Sequence, residues 1–190
     1  MKNKKLLLSI FIIVAIAQLF VPAKMILDRE DVLKTGKEFK FIAAPVDPSD
    51  PFRGKYISLS FQENTVGVND KKTWVNGEKS YIILTTDEKG NAKIKSVTKI
   101  KPTEDIDFVT IKISYGFSTD ESDSLVIAYP FDRFYMKESK AQRAELKYRQ
   151  SIQDSSKVTY ASVYVKNGEA VLKDVLIDGI SINELLKSEK

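Results

Sequence analysis

The chain has 190 residues, enough for one full domain or for one domain plus an anchor. Hydrophobic residues make up 43%, so a sizeable core can form even after an anchor is set aside. The 30 Lys+Arg and 26 Asp+Glu interleave, and a net charge of +4 without a clustered basic patch excludes a nucleic-acid footprint.

There is no cysteine and no histidine. Thiol catalysis, disulfides, thiolate metal sites and a lipidated cysteine are therefore excluded. The usual general base near neutral pH and the commonest zinc ligand are missing too. Catalysis, if any, would fall to carboxylates, Lys, Ser/Thr or Tyr. A cysteine-free composition fits an extracytoplasmic domain.

The chain opens with Lys2, Lys4 and Lys5, which supply three of the four surplus positive charges. From Leu6 to Ala23 it then runs uncharged for 18 residues, with Ser9 and Gln18 as polar interruptions. That length is close to the ~20 residues that cross a bilayer. Lysines ahead of the run orient the N-terminus to the cytoplasm and the rest outside. Ala15-Ile16-Ala17 offers a signal-peptidase pattern as the rival reading. The apolar run continues past it through Leu19, Phe20 and Val21, so residues 1–23 are expected to be a retained single-pass anchor in the lipid bilayer. Residues 24–36 read as a helical stalk ending near Thr35, with Lys34 suited to a helix C-terminus and Gly36 to the position after it.

Residues 37–190 read as a mainly β, antiparallel sandwich or barrel domain with one surface helix. "EFKFIAAPV" and "YISLSF" alternate; in the second, Ile57, Leu59 and Phe61 share one face and Tyr56, Ser58 and Ser60 the other. "SYIILTT", "NAKIKSVTKI", "IDFVTIKISYGF", "DSLVIAYPF", "VTYASVYV" and "EAVLKDVLI" bring the expected strands to about eight. Asn167-Gly168 is a strong hairpin signal, and "DEKGN" at 87–91 does the same with a longer loop. Trp74 reads as a core residue at a turn in preference to an exposed recognition aromatic, and "STDESDS" as a solvated loop. The helical stretch follows Met136, with Ser139 and Gln142 as a capping box and Ala141, Ala144, Tyr148 and Ile152 as its apolar stripe. "INELLKSEK" suits a short final helix.

An internal repeat is possible. Gly90-x-Ala92-x-Ile94-Lys95-x-Val97 returns as Gly168-x-Ala170-x-Leu172-Lys173-x-Val175, each after a tyrosine-led strand at Tyr81 or Tyr160. Pro51-Phe52 and Pro130-Phe131 precede the two glycines at similar distances. Two related halves, or two hairpins alike by chance, both satisfy this pattern.

The densest stretch is "APVDPSDPFRGKYISLSF" at 44–61. Asp47-Pro48 and Asp50-Pro51 are turn starters: the carboxylate accepts from backbone N–H groups ahead, and proline presets the next φ. Arg53 lies within reach of either aspartate for a bidentate pair, Gly54 frees the backbone before the strand, and Tyr56 points away from the core row. Asp47, Asp50, Arg53, Gly54 and Tyr56 are the candidate binding residues. Lys55 opposes a divalent cation among these acids, so no metal site and no cofactor are expected. No phosphate-binding glycine loop is present.

This stretch resembles the signature of the GDYXXLXY family of bacterial membrane-anchored proteins. Gly54, Tyr56 and Leu59 stand at the motif's spacing; Lys55 replaces its aspartate and Phe61 its final tyrosine. The likeness extends to the anchor, "LKTGKEFKF", "DRFYMKES" and "NGEAVLKDVLIDG". It implies a cell-membrane location and a multispanning membrane protein as partner, but no reaction. The expected role is an accessory or binding module of the cell envelope. The competing class is an envelope hydrolase using carboxylates or a Ser/Lys pair.

Overall fold

A computed structural model describes residues 2–45, 56–120 and 122–187. Among them the chain forms helix α1 (Lys2–Thr35) and strands β1 (Lys37–Ala44), β2 (Tyr56–Ser58), β3 (Ser60–Phe61) and β4 (Thr65–Val68). A short 3-10 turn (Lys71–Thr73) leads to β5 (Lys79–Thr86), β6 (Ala92–Thr98), β7 (Phe108–Ser118), β8 (Asp123–Ala128) and β9 (Arg133–Tyr135). Helix α2 (Glu138–Gln153) precedes β10 (Thr159–Lys166), β11 (Glu169–Ile177), β12 (Ile180–Ser181) and helix α3 (Ile182–Leu185).

Helix α1 joins the expected anchor and stalk without a break, although Pro22 sits inside it. Proline has no N–H to offer Gln18 and marks the end of the apolar run. Leu6, Phe11, Leu19 and Phe20 are all more than half exposed, so no part of the protein covers them. The helix is long and apolar enough to cross a membrane. Its other end is latched to the β domain. Val32 is buried, Lys166 Nζ lies 2.6 Å from Asp31 Oδ2 and 2.7 Å from Thr35 Oγ1, and Gly36 N–H closes the last turn on Val32 O. Gly36 is required here for closeness: a Cβ would sit 2.4 Å from Val32 O and 3.0 Å from Val165 O.

The strands form two five-stranded antiparallel sheets, β12-β11-β10-β1-β3 and β4-β8-β7-β5-β6, and a small β2-β9 pair. Together they make a nearly closed, barrel-like body. The two halves have matching hairpins. In β5-β6 the ladder skips Lys95, and in β10-β11 it skips Lys173, the same position of the repeated sequence. A one-residue bulge of this kind bends a strand and adds twist. Tyr81 and Tyr160 also hold matching places, opposite Thr110 of β7 and Ile42 of β1.

The halves are interlocked. β1 pairs with β10 of the second half, and β7, which opens the second half, pairs with β5 of the first. Isolated parallel bridges, Lys40 with Asn91 and Val109 with Gly168, tie each opening strand to the hairpin turn of its own half. Asn167 (φ 51) and Gly168 (φ 86) make the two-residue turn that the sequence signals.

The core follows the alternation. Phe39, Phe41 and Ala43 of β1 are buried, as are Ile57, Leu59 and Phe61. Phe41, Phe61, Tyr129 and Phe131 form an aromatic cluster whose six ring pairs lie 4.9–5.6 Å apart. Tilted and edge-on rings at such distances add to simple burial. α2 lies over β2 and β10, burying Ala141, Ala144, Tyr148 and Ser151, with Ile152 half-buried at the margin.

Several elements differ from expectation. Ser139 does not cap α2: the first helical bonds reach Lys137 O, Lys137 caps without a side-chain bond, and Ser139 is already inside. Burial of the Ala141–Tyr148 stripe, rather than a cap, sets where the helix starts. "YISLSF" divides at Leu59, whose N–H turns to Asp132 O at 2.8 Å. β4, β9 and β12 span only two to four residues, too short for a periodic signal, and exist because a partner strand is present. Trp74 is half-buried and carries Lys99 Nζ 5.0 Å from its ring centroid.

Two hairpin glycines separate backbone strain from packing. Gly90 has φ +79 and open space around a notional Cβ; at Gly168 (φ +86) that Cβ would meet Phe108 Cε2 at 2.4 Å. Gly90→Ala should cost about 1–2 kcal/mol, from the left-handed conformation alone. Gly168→Ala should cost about 1–3 kcal/mol more, from overpacking. Urea unfolding of the full chain in mild detergent measures the difference; equal losses would contradict the close approach.

Candidate functional site

The candidate stretch follows Ala44, which pairs with Ser60 in the β1 sheet, and strand structure resumes at Tyr56 in the separate β2-β9 pair. Asp47, Asp50, Arg53 and Gly54 lie outside the described residues, as does Lys55. Tyr56 and the two places where the corner meets the fold are described.

Tyr56 faces away from the core row, as its phase in the strand requires: it is half-buried while Ile57 is fully buried. Across the β2-β9 pair it stands opposite Tyr135, with ring centroids 5.3 Å apart. The Arg133 guanidinium lies 5.0 Å from the Tyr56 ring centroid, and its Nε is 3.8 Å from Asp132 Oδ1. The Tyr135 side chain, then Tyr56 and Asp132, raise the Arg133 pKa, and a guanidinium is a cation at any physiological pH. Tyr135 is 65% exposed, so this two-tyrosine, one-arginine surface is open to solvent. A cation over an aromatic face of this type suits planar, carbonyl-rich or anionic groups on a partner.

Sequence reasoning missed Tyr135, Arg133 and Asp132, yet a signal was present. Pro51-Phe52-x-x-x-Tyr56 and Pro130-Phe131-x-x-x-Tyr135 are the same pattern 79 residues apart, the interval that also separates Tyr81 from Tyr160. The structure pairs the two tyrosines of this repeated pattern directly across β2 and β9. In the second copy Phe131 sits in the aromatic cluster while Tyr135 is exposed.

At the other end of the corner, Pro45 borders a cleft of about 370 Å³. Its wall comes from β1 (Ile42, Ala43), the β5-β6 turn (Lys89, Asn91), the end of α2 (Ser151) and its link to β10 (Asp154, Lys157). Two carboxylates shape this wall. Asp87 Oδ1 accepts from Lys89 N–H and Asn91 N–H at 2.9 and 2.8 Å, and Oδ2 accepts from Asn91 Nδ2 at 3.0 Å. Asp154 Oδ1 accepts from Ser156 Oγ at 2.6 Å and Ser156 N–H at 3.0 Å. The Asn91 side chain and N–H hold Asp87, and the Ser156 hydroxyl and N–H hold Asp154, below the usual carboxylate range. Both are ionised turn caps.

Asp154 is the cleft's lining carboxylate and is engaged with backbone, so no pair of acids converges there among the described residues. No group of three or more Asp/Glu able to hold a metal ion occurs among them either. Three hydrogen-bonded serines meet an acid or a hydroxyl rather than a lysine: Ser118 bonds Asp123, Ser162 bonds Glu38, and Thr159 donates to Ser151. Phe61, where the family's motif has tyrosine, is 3% exposed in the aromatic cluster, a place where a hydroxyl would need a buried partner.

The caps carry a pH signature. A carboxyl whose folded pKa is depressed stabilises the fold above its unfolded value and loses that contribution as pH falls through the folded value. Order at Lys89, Asn91 and Ser156 should thus hold from neutral pH to about 5 and fall away below about 4. Amide exchange, corrected for intrinsic rates, checks it. Asp87→Asn should loosen Lys89 and Asn91 at neutral pH and flatten their response to acid; unchanged protection would remove Asp87 from this role.

No curated protein and no solved structure matches the chain. The family profile described as "GDYXXLXY protein" matches residues 18–175, from within the apolar helix through β10 and most of β11. That match covers most of the chain, including the corner, the β2-β9 pair and both hairpins. The chain belongs to the GDYXXLXY protein family.

Proposed function

We propose that this protein is a membrane-anchored, extracytoplasmic binding module of the cell envelope that acts together with an integral membrane partner. The observation that carries the reading is the uninterrupted α1. Its first part is apolar and uncovered, and its last turn is latched into the β domain by Val32, Gly36 and the Lys166–Asp31 ion pair. Residues 24–31 add about 12 Å of helix between the apolar run and that latch. A domain held this close to a bilayer, on a helix rather than a flexible linker, is suited to partners embedded in the same membrane. Lys2, Lys4 and Lys5 support the N-in orientation. The exposed Tyr56–Arg133–Tyr135 surface supplies the recognition face, together with Asp47, Asp50, Arg53 and Gly54, which lie outside the described residues.

Two measurements test this. The chain has no cysteine, so Ser139→Cys in the exposed first turn of α2 gives a single reporter. It should react with a membrane-impermeant maleimide on intact cells; reaction only after lysis would reverse the orientation. Mild-detergent purification should recover an integral membrane protein reproducibly. Arg133→Ala with Tyr135→Ala should weaken that recovery roughly tenfold or more, as for an aromatic/Arg hot spot, with unfolding unchanged. Recovery that is absent in the wild type, or indifferent to both substitutions, rejects the partner reading.

A further inference from the structure

The latch between α1 and the domain also sets which end of the domain faces the bilayer. Lys166, at the end of β10, reaches Asp31 and Thr35. Glu169, just past the turn, lies near enough to Lys24 to act on it electrostatically. Lys24 is seven residues, roughly 10 Å, nearer the apolar run than Asp31. The β10-β11 hairpin therefore points toward the membrane. β7 heads the same way. Asp107, just before it, bonds Lys37 Nζ at 2.5 Å, at the level where Lys37 pairs with Val165; three residues on, Thr110 N–H bonds Gly168 O at 2.9 Å.

What lies farther along β7 is an apolar and basic surface. Gly77 N–H bonds Ile113 O at 2.7 Å, which brings the Trp74–Gly77 loop to this end. Thr98 stands opposite Tyr81, itself opposite Thr110, so β6 finishes here too. Lys99 then joins loop and strand by reaching Thr73 O, Glu78 and the Trp74 ring. Ile100 is 81% exposed, Val75 64% and Tyr115 52%. The ladder skips Ser114, a bulge just before the outward-facing Tyr115. Lys71, Lys72 and Lys101 surround the apolar residues. Three carboxylates beside them are engaged: Glu78 with Lys99 and Val75 N–H, Asp70 with Lys72 N–H, and Asp123 with Lys71 N–H and Ser118; Glu104 and, in the β7-β8 turn, Asp120 are exposed. Indole and phenol rings among aliphatics and lysines are the composition of a membrane interface.

We propose that this end of the domain rests on the surface of the bilayer that holds α1, with Trp74, Val75 and Ile100 in the headgroup layer and Lys71, Lys72 and Lys101 against anionic lipid. The inference rests on α1 being a membrane anchor. It adds a second membrane contact, which fixes the tilt of the domain beyond what one helix sets.

Trp74 is the sole tryptophan, so its fluorescence reports this surface alone. The full chain is reconstituted into phosphatidylcholine–phosphatidylglycerol vesicles with and without brominated acyl chains. Trp74 emission should shift to the blue relative to detergent and be quenched by the brominated lipid. Val75→Asp with Ile100→Asp, at exposed positions that leave the core intact, should abolish the quenching while the protein still floats with the vesicles. Lys71→Glu with Lys72→Glu should cut it by about half, and so should omitting phosphatidylglycerol. Trp74 that stays unquenched in protein that floats and resists carbonate extraction overturns the proposal and leaves the anchor standing. Wild-type protein that does not float overturns the anchor reading and this proposal with it.

Discussion

β1 and β10 hold the molecule together, and they are separated by most of the chain. The Glu38–Ser162 hydrogen bond that crosses their ladder joins residues 124 apart. On one face β1 buries Phe39 and Phe41, and at its start it receives Gly36 and the end of α1. Its loss would remove the aromatic cluster, the floor of the Pro45 cleft and the latch to the helix together. Because β7 makes the reciprocal exchange with β5, neither half can complete its sheet alone. Closing such long loops carries an entropic cost before any contact returns it, so folding of this domain is expected to be cooperative and slow for its size.

That interlocking explains where the exposed aromatic patch and the cleft lie. The two copies of the Pro-Phe-x-x-x-Tyr pattern meet at the β2-β9 pair, so a short sequence feature is doubled into one exposed patch. Arg133 over Tyr56 then supplies a charge that neither copy's tyrosine provides. The cleft beside Pro45 is built the same way, from β1 and the hairpin turn of the same half, closed by the link that leads into β10. The exposed Tyr135 patch and the Pro45 cleft both lie at seams of this fold, where alternation no longer dictates burial.

The continuous α1 makes the membrane part of the structural problem. A flexible linker would let the domain sample many orientations. A helix locked by Val32, Gly36 and Asp31 fixes the direction of β10, and β10 fixes that of β7. Surface composition then acquires a direction: Tyr56 and Tyr135 belong to the small β2-β9 pair, while Trp74 and Ile100 lie farther along the direction in which β10 and β7 run.

Much of this was legible in the residues. The uncharged run, the lysines before it, the alternation through Phe39, Phe41, Ile57, Leu59 and Phe61, the Asn167-Gly168 turn and the repeated Gly-x-Ala pattern are local properties, and local chemistry decides them. Tyr56 facing outward follows from the same period of two. The tertiary structure decided what depends on a distant partner: that the halves exchange strands, that β4, β9 and β12 exist at all, that α2 begins at Glu138 without a serine cap, and that Tyr56 meets Tyr135 and Arg133. A strand of three residues has no period to read, and a partner 79 residues away leaves no mark on its neighbours. Periodicity reports which face is buried; only the closed ladder reports against whom.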